Sequence, residues 1–165
     1  MVTIEKTTPA QAETLFDIHL QAFRPLYEQF HDTHNPYLRT IEDITRRLDD
    51  DMFRYFTIRY DGEIVGGIFY RTRGGGSFFS ELQPGEYYLQ RLYIRPDMQG
   101  KKIAQAAIRL CEEYLGDGKR FFVDFPAPLE KNRRCYEAAG YRDTGFLFEA
   151  EPGMTLKCYE KNVNE

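Results

Sequence analysis

The stretch Leu92-Tyr93-Ile94-Arg95-Pro96-Asp97-Met98-Gln99-Gly100-Lys101-Lys102-Ile103-Ala104 runs from a strand through a short turn into a helix. Its strand half ends an alternating run, residues 86–95. There Tyr87, Leu89, Arg91 and Tyr93 share one face, and Tyr88, Gln90, Leu92 and Ile94 share the other. Its helical half, residues 100–115, places Ile103, Ala104, Ala107, Ile108, Cys111, Tyr114 and Leu115 at helical spacing. A helix opened by Gly-Lys-Lys offers free N–H groups and a positive dipole end, which suit an anion. Two lysines there oppose the dipole by about 0.3–1 kcal/mol each, and a docked anion would reverse that sign. Gly100 adds close backbone approach. A turn glycine followed by two solvated lysines explains the same string equally well. Neither Gly-x-x-x-x-Gly-Lys-Ser/Thr nor Gly-x-Gly-x-x-Gly is present, which excludes those two nucleotide-binding loops.

Upstream, residues 2–6 read as a short strand, and Thr8-Pro9 opens a helix. Its stripe of Ala12, Leu15, Phe16, His19, Leu20 and Phe23 ends near Phe23. Residues 24–39 are irregular, with Pro25, Pro36 and many aromatics, and residues 40–50 form a second helix with Ile41, Ile44 and Leu48 on one side. Residues 53–60 and 63–72 are strands around Asp61-Gly62, a strong hairpin signal. Gly74-Gly75-Gly76 begins a loop that Gln83-Pro84-Gly85 ends. Downstream, Gly116-Asp117-Gly118 stops the helix, and residues 119–125 form a strand whose Phe121-Phe122-Val123 reads as buried on both faces. Residues 130–139 make a short helix closed by Gly140, and residues 141–150 and 154–160 pair as final strands. The pattern is one α+β domain over residues 1–165, with strand–helix–strand crossovers in its second half.

A chain of 165 residues and 19.4 kDa supports one core, and 42% hydrophobic residues exclude a disordered chain. No apolar run approaches the roughly 18 residues of a membrane span, and the first residues resemble neither a secretory leader nor a transit peptide. With 22 Lys+Arg against 26 Asp+Glu, the formal charge is −4, and the only dense basic cluster surrounds Arg133 and Arg134. We expect no nucleic-acid and no membrane partner, and an acidic chain of this kind suits cationic or amine substrates. Cys111, Cys135 and Cys158 are odd in number and widely spaced, so a disulfide framework or zinc site is not expected and a reducing cytoplasm is.

Residues 92–110 resemble the acyl-CoA-binding segment of the GNAT superfamily of N-acetyltransferases. The pattern Gln/Arg-x-x-Gly-x-Gly/Ala falls on Gln99, Gly100, Lys101, Lys102, Ile103 and Ala104. Lys102 stands where the pattern usually has glycine. In the first turn of a helix such a residue meets no φ restriction. A second string, Asn132-Arg133-Arg134-Cys135-Tyr136-Glu137-Ala138-Ala139-Gly140-Tyr141, is similar to the family's downstream Tyr-Glu-Lys-x-Gly-Phe segment. The family's asparagine lies about two helical turns before that tyrosine, whereas Asn132 precedes Tyr136 by one. The resemblance spans residues 2–160. It implies a central, mostly antiparallel sheet of about seven strands with a parallel pair in the middle, flanked by about four helices.

The resemblance further implies direct transfer of an acetyl group from acetyl-CoA, the co-substrate, to a primary amine of a small molecule or peptide. On it, the backbone of Leu92, Tyr93 and Ile94 and the amides of Gln99, Gly100, Lys101, Lys102, Ile103 and Ala104 hold the CoA, with Asn132 nearby. Tyr136 matches the proton donor for the leaving thiolate. Glu86 is a candidate for the base, with Tyr88, Glu81 or an ordered water as alternatives. Tyr27, Phe30, His31, Tyr37, Phe78 and Phe79 lie in the two long loops and face the acceptor. No metal is expected, because His31 and His34 lack a third ligand nearby, and His19 reads as a hydrogen-bonded core residue. The other readings are a non-catalytic acyl-CoA sensor and an aminoglycoside-type acetyltransferase. Monomer and homodimer are both open, and the amine itself is unspecified.

Overall fold

In the computed structural model, which describes residues 1–163, Asp61 and Gly62 take φ of 49° and 85°. Two positive φ values give the turn whose twist matches a hairpin. It joins β2 (Phe53–Tyr60) to β3 (Glu63–Arg71), with Tyr60 opposite Glu63. β1 (Val2–Lys6) lines the outer side of β2, and β4 (Glu86–Ile94) runs antiparallel to β3. β5 (Arg120–Pro126) lies parallel to β4, while β6 (Arg142–Glu151) and β7 (Met154–Asn162) form the last hairpin, with β7 on β5. The order β1-β2-β3-β4-β5-β7-β6 is a single mixed sheet of seven strands with one parallel pair, as the resemblance implied.

Four helices cover the two faces. α1 (Ala12–Phe30) and α2 (Glu42–Leu48) bury Leu15, Ile18 and Ile44 against Tyr55, Phe69 and Tyr93. α3 (Ile103–Tyr114) and α4 (Glu130–Ala138) bury Ile103, Ala107, Ile108, Cys111 and Tyr136 against Phe56, Ile68, Leu89, Phe121 and Val123. Among the described residues no helix is long and apolar enough to cross a membrane.

Three sequence readings need correction. α1 continues through Pro25 to Phe30, so Tyr27 and Phe30 are helical. Proline removes one helical hydrogen bond, yet Leu26, Tyr27 and Phe30 stay half-buried beyond it. The helix ends only at His31, which takes φ 51° and donates its N–H to the Tyr27 carbonyl at 2.7 Å. α3 begins at Ile103 rather than Gly100, after a 3-10 turn over Pro96–Met98. Gly100 and Lys102 both precede that helix at positive φ, 81° and 62°. Lys102 therefore does meet a φ restriction, which costs a non-glycine residue about 1–2 kcal/mol.

The third correction concerns β4. Phe69 pairs with Arg91 and Tyr70 with Leu89, so Gln90 is an extra residue, a β-bulge. One extra residue resets the period-2 alternation. Tyr87 and Leu89 consequently join Leu92 and Ile94 on the α3 side. Tyr93, with Arg91, turns to the α1–α2 side.

Candidate active site

β5 accompanies β4 only from Glu86↔Arg120 to Leu89↔Val123. Beyond that, β5 continues against β7 as far as Pro126, and residues 90–94 of β4 have no β5 partner. The parted strands open a cleft of about 640 Å³. Leu92, Tyr93 and Ile94 give it an unpaired strand edge. Gln99, Gly100, Lys102, Ile103 and Ala104 form the turn at one end, and α4 supplies Asn132, Arg134, Cys135 and Tyr136. Ala22, Phe23, Pro25 and Leu26 of α1 close it from above. Residues from two distant motifs thus meet in one cavity; of the expected CoA contacts, only Lys101 lies outside the lining, and it is exposed.

Within the cleft, the Gln99 side-chain amide donates to the Ile94 carbonyl at 3.0 Å, tying the turn to the end of β4. Lys131 reaches the Gln99 side-chain oxygen at 3.4 Å, so cations of α4 stand over the turn. Tyr136 is 7% exposed and packs on Phe125 at 5.4 Å and Tyr141 at 5.9 Å between ring centroids. Burial pushes its phenol far above the usual range, with the neighbouring Cys135 and Asp124 adding to the effect, so it is protonated at neutral pH. Burial also raises the Cys135 thiol to about 11, which suppresses the reactive thiolate.

On the α1–α2 side of the parted strands, the Tyr88 hydroxyl donates to Asp124 Oδ1 at 2.7 Å. Phe79 stacks on Phe122 at 4.8 Å and leans on Tyr88 at 5.2 Å; Phe78 meets Phe122 edge-on at 5.7 Å. These two phenylalanines therefore wall the region beside Tyr88 and Asp124. Tyr27 stacks on Tyr37 at 5.5 Å, near the end of α1, and Phe30 follows one turn later. Thr33 donates from its N–H and its hydroxyl to Glu151, at 3.0 and 2.9 Å, so the loop after α1 is tied to the β6–β7 hairpin. None of Tyr27, Phe30, Tyr37, Phe78 and Phe79 lines the cleft between the parted strands.

Glu86 is not brought to the site. It sits at the opposite end of β4, accepts the Gln83 N–H at 2.9 Å and lies 3.8 Å from Arg120. It fastens the turn before the strand. Glu81 likewise accepts from the Gly74 N–H at 3.3 Å.

Two groups escaped the sequence reading. Asp124 interrupts the apolar run Phe121-Phe122-Val123-Asp124-Phe125, and a carboxylate in a strand read as buried on both faces was the available signal. The second is a buried charge cluster in which Asp43 pairs with both Arg91 and Arg47, at side-chain exposures of 5%, 10% and 5%. Burial works against the Asp43 carboxylate, but the two arginines prevail and hold it at about 2. Arg91 Nη1 donates to His19 Nε2 at 3.3 Å, and burial lowers that imidazole to about 3, so His19 is neutral. The cluster fixes α1 and α2 to the half of β4 that has no β5 partner. Among the described residues no group of three or more His, Cys, Asp or Glu is placed to hold a metal.

Solved structures share this architecture. The GNAT domain of S. lividans PAT has a TM-score of 0.74 and 18% identity, covering 98% of this chain and 90% of that one. AAC(6')-Ib in complex with ribostamycin and coenzyme A has a TM-score of 0.75 and 17% identity over 98% and 93% of the two chains. The PaiA N-acetyltransferase from Thermoplasma acidophilum, in complex with coenzyme A, has a TM-score of 0.71 and 14% identity over 99% of each. No curated protein sequence matches the chain. The fold is the one these structures share. The acetyltransferase (GNAT) family profile matches residues 12–141, and the chain belongs to that family.

Proposed function

We propose that the protein moves the acetyl group of acetyl-CoA directly to a primary amine while both are bound. The observation that carries this is the single cleft in which the unpaired β4 edge, the turn before α3 and Tyr136 meet. The pantetheine arm lies along the open edge at Leu92, Tyr93 and Ile94, where its amides take the place of a missing strand. The pyrophosphate sits at the turn before α3, where free N–H groups and Lys102 favour it. The same β4 edge provides N–H donors for the oxyanion of the tetrahedral intermediate.

Tyr136 then gives its proton to the sulfur as the carbon–sulfur bond breaks. Burial keeps the phenol protonated at neutral pH, so the proton is in place when the sulfur begins to leave. In AAC(6')-Ib, ribostamycin and coenzyme A occupy one structure together, which supports a ternary complex here. Three free thiols, Cys111, Cys135 and Cys158, support a reducing compartment such as the cytoplasm.

The test is thiol release from acetyl-CoA across an amine panel, with the enzyme's own thiols subtracted. The wild type should release thiol only with an acceptor present. Tyr136→Phe should lose at least about 100-fold in kcat while its calorimetric affinity for CoA stays the same. Full activity in that variant removes Tyr136 from the mechanism.

A further inference from the structure

The cleft carries more positive charge than a pyrophosphate group uses. Its lining holds three cations, Lys102, Lys131 and Arg134, and a single acid, Glu130. Glu130 is already engaged by Arg133, whose guanidinium also pairs with Glu137 one helical turn further on. Arg133 thus takes up the acids of α4 and leaves Lys131 and Arg134 without one. Among the described residues the side chains of Lys102 and Arg134 make no hydrogen bond or ion pair, and the one partner of Lys131 is the neutral amide of Gln99. Elsewhere in this acidic chain, Arg24, Arg59, Arg73 and Arg95 each hold a carboxylate.

Lys131 and Arg134 stand three residues apart on α4, so they share one face, and both are exposed. Lys131 reaches Gln99 at 3.4 Å, which sets this face over the turn that precedes α3. Lys131 also occupies the first turn of α4, where the helix dipole disfavours a cation. Unmatched cations gathered at one end of a cleft repel one another unless an anion lies among them.

Resting on the acyl-CoA reading above, we propose that Lys131 and Arg134 recognise the 3′-phosphate of CoA, so that the protein selects CoA over its dephospho form. The pyrophosphate is met by the N–H groups of the turn and by Lys102. The 3′-phosphate is a monoester carrying about −1.5 to −2 charge at neutral pH, on the ribose at the nucleotide end of the same molecule. A dianion of that kind suits an ammonium together with a guanidinium, which can meet two of its oxygens at once. Both side chains are long and solvated, so they close on the phosphate at the mouth of the cleft with little charge to desolvate. Recognition is divided accordingly: the turn before α3 serves the pyrophosphate, and α4 reads whether the ribose is phosphorylated.

Calorimetry compares CoA with dephospho-CoA, which keeps the pyrophosphate and the pantetheine arm and lacks only the 3′-phosphate. The wild type should bind dephospho-CoA at least about 10-fold more weakly. The double variant Lys131→Gln, Arg134→Gln should lose that factor toward CoA and change by less than about 2-fold toward dephospho-CoA. Arg109→Gln, which removes an exposed cation of α3 outside the cleft, should leave both affinities unchanged. Equal affinity of the wild type for the two ligands overturns the proposal without recourse to any variant. A double variant that weakens both ligands alike, or neither, overturns it too. Because the readout is binding, an enzyme inactive on every amine would still return one of these results. A wild type that binds neither ligand defeats the acyl-CoA reading, and this proposal with it.

Discussion

Lys102 holds φ at 62°, a left-handed conformation, at a position where the family pattern usually has glycine. The sequence string alone suggested that the helix had already begun, so that a non-glycine residue in its first turn met no φ restriction. Backbone handedness at a helix entrance depends on how the turn meets the strand, and the letters do not carry it. Lys102→Gly should therefore stabilise the protein by about 0.5–1 kcal/mol, the relief of strain being partly offset by glycine's larger unfolded-state entropy. Urea denaturation measures it; no gain would mean that the lysine side chain earns back the strain through contacts. The place of Tyr136 in the cleft was legible because a whole helix segment resembles the family's. Asp124 was legible only as an oddity. Glu86 was chosen for lying on the correct strand, and at about 3.3 Å of rise per residue that strand is long enough to put it at the wrong end.

The fourth strand is the element on which the site depends. Its alternation suggested a regular strand, and the inserted Gln90 redirects Arg91 and Tyr93 to the α1–α2 side. Tyr93 then lies across β3, and its hydroxyl meets that of Tyr55 at 2.7 Å. Gly67 makes this crossing possible, because a Cβ there would stand 2.4 Å from the Tyr93 hydroxyl. Gly67→Ala should cost about 1–3 kcal/mol by forcing the ring aside, and it should weaken CoA binding, since Tyr93 lines the cleft. Paired denaturation and calorimetry would show it. Arg91, redirected by the same bulge, pairs with Asp43 of α2. Asp43→Ala leaves two arginines buried without their carboxylate, and should destabilise by about 3–5 kcal/mol in urea denaturation. A loss below about 1 kcal/mol would mean that water reaches the cluster. Hydrophobic spacing revealed where β4 was, but a bulge is a property of two paired strands, and only their pairing discloses it.

At the scale of the molecule, the succession of strands and helices along the chain was readable because turns, glycines and apolar spacing agreed, while the mixed seven-stranded sheet followed from the family resemblance. The separation of β4 from β5 was not readable, because it comes from the chain's three-dimensional closure and leaves no local mark. Burial also shapes how the whole fold responds to acid. His19 is neutral in the folded protein at about 3 and titrates near 6.5 when unfolded. Below 6.5 the unfolded chain therefore binds the extra proton, and His19 alone removes about 2 kcal/mol of stability between pH 6.5 and 5. Asp43, depressed to about 2, loses its contribution only at lower pH, below 3.8. Glu112 and Asp124, raised by burial, act in the opposite direction, so the wild-type slope is a sum. His19→Gln isolates the histidine: its melting temperature should fall less than that of the wild type from pH 7.5 to pH 5. The central claim is direct transfer from acetyl-CoA to an amine within one cleft, and a rapid-quench experiment with acetyl-labelled acetyl-CoA addresses it. Without acceptor, no label should reach the protein and no CoA should appear. With acceptor, acetylated amine and free CoA should form in equal amounts. A stoichiometric burst of CoA with label on Cys135 before any amine is added would contradict it.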